Sequence, residues 1–142
     1  MMNLWGVAVH EAGHAIVALH YGLPVVRVWI NDNCDGGCEY SNNDEHLSLH
    51  ARFVACLAGE AAERHFNVQP HPTAKLHDYG SIITLTSDMT EDERRPFIDQ
   101  ARAYAAKIIA RNAHEVARLA GMVADKMSVT LSEVKPPIVA TR

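Results

Sequence analysis

Two histidines four residues apart, with a glutamate directly after the first, are the residues of this chain whose types and spacing can do chemistry: His10-Glu11-Ala12-Gly13-His14. On a helix, residues four apart stand one turn above each other, so both imidazoles leave one face and can grip a single metal ion, with zinc the default. Glu11 falls at the edge of that face, where a carboxylate can take a proton from water activated by the ion. That pattern describes a metallohydrolase. It is also short: with 9 His in 142 residues, shuffling would produce H-E-x-x-H in roughly three or four sequences per hundred, so its surroundings must carry part of the argument. They do. The motif lies between apolar runs at 4–9 and 15–19, and two imidazoles and a carboxylate are costly to bury without a partner such as a metal ion. The alternative is a structural His pair satisfied by hydrogen bonds.

Two His leave a peptidase zinc one protein ligand short. The downstream candidates are Glu60, Glu63, His77, Asp78 and Asp88. Glu60 and Glu63 fall in the small-residue segment Leu57-Ala58-Gly59-Glu60-Ala61-Ala62-Glu63, which reads as a helix packing closely on the His helix. There a carboxylate is a ligand, a partner to a His, or solvated. His77 is chemically suitable but adjoins Asp78, and neighbours in sequence point in different directions. Cys34 and Cys38 offer a C-x-x-x-C spacing for a second metal, yet no further cysteine pair follows, and Asp35-Gly36-Gly37 already explains the segment as a turn.

These groups need elements to hold them. A first helix over 3–21, with Asn3 as its cap and Gly22 and Pro24 as its stop, is apolar on most sides and belongs in the centre of the domain. Residues 25–30 read as a strand, 31–37 as a turn and 38–40 as a short return strand, a hairpin that could also hold an extended substrate. A second helix is expected from Asn43 or Asp44 to Phe66, with Cys56 as a small buried hydrophobe. The segment 67–77, with Pro70 and Pro72, reads as a surface loop, and Asp78 as the opening of a short helix. Thr90-Glu91-Asp92-Glu93 is a capping box for a fourth helix that Pro96 either kinks or shifts later. Asn112 to Glu115 repeats the cap for a fifth, faced by Val116, Leu119, Val123 and Met127. The tail after Thr130, 135–142 above all, is expected to be irregular.

The fold class that follows is α+β, mainly α, in one domain over 1–142. A net charge of −4 and a pI near 6.1 leave no basic footprint for nucleic acid and no membrane-binding patch. The 3 Cys, an odd number, suit a reducing compartment, and the apolar start is interrupted by His10 and Glu11 well short of a span. The expectation is a cytoplasmic protein.

The HEAGHA sequence at 10–15, the strand after it and the segment 57–63 resemble the peptidase domain of the FtsH family of ATP-dependent zinc metalloproteases. That family carries an HEAGHA helix, a leucine-glycine-glycine-arginine-alanine-alanine-glutamate segment and a downstream aspartate opening a helix. The resemblance is specific at the first motif and looser elsewhere. Ala58 and Glu60 stand where the family has glycine and arginine, and the approach to its aspartate is not recognisable at 73–78. What it implies is a zincin-like helical domain binding Zn²⁺ through His10, His14 and Asp78, with Glu11 as the general base of peptide hydrolysis. No G-x-x-x-x-G-K-[ST] phosphate loop occurs in the 142 residues. The expected substrates are therefore peptides or unfolded proteins, with a homo-oligomer or a separate unfoldase as partner. The alternatives are a catalytically silent zinc-binding interaction module and a regulatory protease dedicated to one partner protein.

Overall fold

The computed structural model describes residues 4–40, 49–70 and 72–130. Its elements are α1 (Leu4–His20), β1 (Val25–Ile30), β2 (Gly36–Tyr40), α2 (Leu49–His65), α3 (Pro72–Leu85), α4 (Glu91–Arg111), α5 (Ala113–Lys126) and β3 (Ser128–Thr130). The class is α+β and mainly helical, with one small antiparallel sheet in the order β2-β1-β3. No helix among the described residues is long and apolar enough to cross a membrane.

α1 is the central element, buried at every position from 6 to 19. An apolar helix without a polar stripe is stable only when neighbours cover it on all sides, and here α2, α5, α4 and the sheet do so. Gly13 lets α2 come close: a Cβ there would lie 2.6 Å from Ala62 Cβ and 2.8 Å from the Ala58 carbonyl oxygen. The helix stops where expected, with Gly22 at φ 81° in the left-handed region that glycine adopts without penalty.

The hairpin forms, its return strand starting at Gly36 and not at Cys38, with Val28 opposite Cys38 and a bulge between Val25 and Arg27. A third strand was not expected. β3 pairs with the other edge of β1, Val28 opposite Val129, after Met127 ends α5 at φ 68°. Three residues are too few for alternation to show in a sequence.

Other expectations are corrected, and of the two alternatives at Pro96 one is excluded. The loop at 67–77 is shorter, because α3 already begins at Pro72, whose fixed φ and missing N–H suit a first helical turn. Asp78 therefore lies mid-helix instead of opening it. Pro96 does not delay α4, which starts at Glu91 behind the complete Thr90–Glu93 capping box. Asn112 precedes α5 without a side-chain cap; its buried Nδ2 donates to the Ile108 carbonyl at 2.9 Å, tying α5 back to the end of α4. Cys56 is half-buried and not enclosed, since it faces a cleft. The expected cap Asn3, the helix start at Asn43 or Asp44 and the tail beyond Thr130 lie outside the described residues.

Candidate metal centre

His10 and His14 leave α1 toward α2 and α3, both buried, at 2% and 8% exposure. His10 Nε2, His14 Nε2 and Asp78 Oδ2 form a triangle with all three edges 3.1 Å. Among the described residues, this is the group of His, Cys and carboxylate atoms arranged to hold a metal ion. Tetrahedral N and O ligands at ~2.0–2.1 Å from zinc are separated by about 3.3–3.4 Å, so the observed edges are within a few tenths of an ångström of that requirement.

The far side of the His14 ring fixes its tautomer. His14 Nδ1 donates to the Ala55 carbonyl at 2.8 Å, and because a carbonyl can only accept, the proton is on Nδ1 and the Nε2 lone pair faces the triangle. His10 Nδ1 lies 3.0 Å from Glu63 Oε2, an ion-pair distance at which the N–H is not aligned well enough to count as a hydrogen bond. Glu63 is itself 2% exposed, so it opposes an almost fully desolvated imidazole. With both rings neutral, two nitrogen lone pairs and a carboxylate oxygen converge on one point. Such a cluster demands positive charge.

The protonation behaviour expresses that demand. Burial works against a charged His10, but the Asp78 and Glu63 carboxylates, with Glu11 nearby, outweigh it and push its pKa up to about 10. His14 is likewise raised, with burial again opposed by Asp78. Asp78 is driven up by burial but held well below the usual carboxylate range by the two histidines. A proton or a metal ion can meet the same need. The donor set of two imidazoles and one carboxylate, each imidazole oriented by a carbonyl or carboxylate behind it, suits a divalent transition metal.

Glu11 is 6% exposed and its side chain lies against β2: a Cβ on Gly36 would come within 2.8 Å of Glu11 Cγ and 3.2 Å of Oε2. His10, Glu11, His14 and Asp78 share the floor of a cleft of about 1100 Å³, walled by Gly36, Gly37, Cys38 and Tyr40 of β2, by Arg52 and Cys56 of α2, and by Ser81 and Thr84 of α3.

The remaining candidates fall elsewhere. Glu63 sits behind His10, on the Nδ1 side, and not in the triangle. Glu60 is not solvated but buried, accepting from Arg64 at 2.9 Å and from Tyr79 at 3.3 Å. Asp88 is exposed on the turn after α3, and the His77 side chain lies outside the described residues. Cys34 and Cys38 belong to no metal-ligating group among the described residues, and burial pushes the Cys38 thiol up to about 12, away from the thiolate a metal needs.

Sequence reasoning missed Gly59, where a Cβ would lie 2.5 Å from His10 Cε1 and Nε2. The His10 ring occupies the space that a side chain at 59 would need. The small-residue segment was the available signal, read only as helix packing. The Ala55 carbonyl has no sequence signal at all. No protein-family model and no curated protein matches this chain.

Proposed function

We propose that this chain is a zinc-dependent peptidase of the kind its HEAGHA helix resembles, an FtsH-like zincin domain that hydrolyses peptide bonds with Glu11 as general base. The observation that carries the proposal is the convergence of His10, His14 and Asp78 beside Glu11 on the floor of an open cleft. Zinc is favoured among the divalent metals by the N, N, O donor set and by the room the cleft leaves beside the triangle.

When bound, zinc supplies Lewis acidity toward the scissile carbonyl and brings the pKa of water down to ~7. The chain's own residues supply the rest. Glu11, given room by Gly36 and lining the same cleft as the ligand triangle, accepts the proton of the attacking water and passes it to the leaving amine. β2 runs along the cleft and, among the described residues, pairs with β1 on one side and with no strand on the other. Its outer edge offers backbone N–H and C=O groups to an extended peptide, which would bind as a further strand. A groove of this type takes extended chain, so the substrates are peptides, flexible segments or unfolded proteins, presented where necessary by a separate unfoldase.

The test is hydrolysis of an unfolded casein-type substrate by zinc-loaded protein. Wild type should cleave it, and Glu11→Gln should retain one zinc per chain while losing activity by about 10²–10⁴-fold, because an amide cannot accept the proton. A wild type that holds zinc but cleaves nothing would leave a silent zinc-binding module as the answer. Unchanged turnover in Glu11→Gln would remove Glu11 from the mechanism.

A further inference from the structure

Asp78 is delivered to the histidines by α3, a helix with little apolar anchorage among its described side chains. Ile82 is the one apolar side chain of α3 that is buried among those described, and the helix packs chiefly on α2. What fastens it otherwise is polar. Arg102 of α4 donates from Nη2 to the Tyr79 hydroxyl at 2.8 Å. That hydroxyl lies 3.3 Å from both carboxylate oxygens of Glu60 on α2, to which it donates, and Arg102 Nε stands 3.7 Å from the same carboxylate. Two turns further along the chain, Arg94 of α4 donates to Thr86 Oγ1 at 2.8 Å and to the Thr86 carbonyl at 3.1 Å. Thr86, fully buried, accepts there while its own hydroxyl donates to the Ile82 carbonyl.

We propose that Tyr79, gripped between Glu60 and Arg102, is a positioning residue that sets the rotation of α3 and thereby aims the adjacent Asp78 at the two histidines. The inference rests on the metal-centre reading but concerns its geometry. Successive helical residues diverge by about 100°, so a hydroxyl fixed on the α2/α4 side fixes the direction in which Asp78 leaves the helix. The Arg94 clamp holds the end of the segment but is two turns from Asp78, so it limits translation more than rotation. Glu60 thereby acquires a role as the acceptor that keeps the Tyr79 hydroxyl and Arg102 together. Outer partners that orient a metal ligand typically change metal affinity by 10–100-fold when removed, and Tyr79→Phe deletes only the hydroxyl.

The experiment compares wild type, Tyr79→Phe, Arg102→Gln and Asp78→Ala. In metal-free protein, the imidazole ¹⁵N shifts of His10 and His14 report whether Asp78 is beside them. They should move in Tyr79→Phe and Arg102→Gln in the same direction as in Asp78→Ala, with α3 amides exchanging faster while those of α1 do not. With Co²⁺ as the probe, affinity should fall about 10–100-fold in Tyr79→Phe, and the visible spectrum should shift toward that of Asp78→Ala. Histidine signals that move in Asp78→Ala but stay at their wild-type positions in Tyr79→Phe and Arg102→Gln would overturn the proposal; so would signals that Asp78→Ala itself leaves in place. A wild type that binds no Co²⁺ would refute the metal reading instead, leaving the ¹⁵N shifts to decide the position of Asp78.

Discussion

Replacing Gly59 by alanine separates the stability of the fold from the integrity of the metal centre. The new Cβ would stand 2.5 Å from His10 Cε1 and Nε2, against an ordinary contact of at least 3.4 Å. The ring must therefore retreat by about 0.9 Å, several times the ~0.2 Å tolerance of a metal–ligand distance. It has little room to do so, with Glu63 behind it and His14 and Asp78 in front. Alanine is the better helix former by about 1 kcal/mol, while overpacking a filled interior costs about 1–3 kcal/mol. Stability should thus lie between roughly unchanged and ~2 kcal/mol lower, within the two terms just given. Zinc affinity should fall at least 10–100-fold, about 1.4–2.7 kcal/mol. Gly121→Ala on α5 is the control: a Cβ there meets nothing within 4 Å, so it should stabilise by about 0.5–1 kcal/mol and leave affinity alone. Calorimetric zinc titration together with thermal unfolding of the metal-free proteins measures both quantities. A Gly59→Ala protein that folds and binds zinc as tightly as wild type would refute the placement of His10 against α2.

Asp78→Ala should weaken zinc binding by orders of magnitude with helical content retained; unchanged affinity, measured by competition with a chelator, would exclude Asp78 as a ligand. The metal-free protein should also show a pH signature. The folded pKa of His10 lies near 10, above its ordinary 6.5, so its contribution to stability is complete below about 6.5 and is lost as the pH rises toward 10. Asp78, with its pKa lowered from 3.8, contributes above that value and loses its effect as the pH falls further. Metal-free unfolding temperatures should therefore decline from about pH 6.5 to 10, and this decline should flatten in Asp78→Ala; an equal slope in both proteins would contradict the coupling. Cys34→Ser with Cys38→Ser should leave metal stoichiometry untouched by elemental analysis, and the loss of one equivalent would revive a second site.

Much of the site is local, and local geometry is legible in a sequence. The i, i+4 spacing of His10 and His14 fixes their common face once α1 is helical, and the apolar residues on every side of α1 dictate that the helix is central and the pair buried. The hairpin and the Thr90 capping box were likewise readable, because each is defined by a few consecutive residues whose side chains act on their own backbone.

Tertiary structure decided the rest. Asp78 is 64 residues from His14, and no periodicity says that a mid-helix aspartate, and not Glu60 or Glu63, closes the triangle. That depends on α3 lying against α2 with Tyr79 gripped from α4. The roles of Glu63 behind His10 and of the Ala55 carbonyl under His14 follow from the contact of α1 with α2, and that of Glu60 in the Tyr79 network from the contact of α2 with α3 and α4. β3 exists because the end of α5 arrives beside β1, where its short backbone finds partners. Asn112 illustrates the conflict: its sequence context offers a helix cap, but burial against α4 leaves its amide closer to the Ile108 carbonyl. Local chemistry proposes a partner for each polar group, and the packing of distant elements selects among them, because a buried donor or acceptor must be satisfied by whatever the fold brings within about 3 Å.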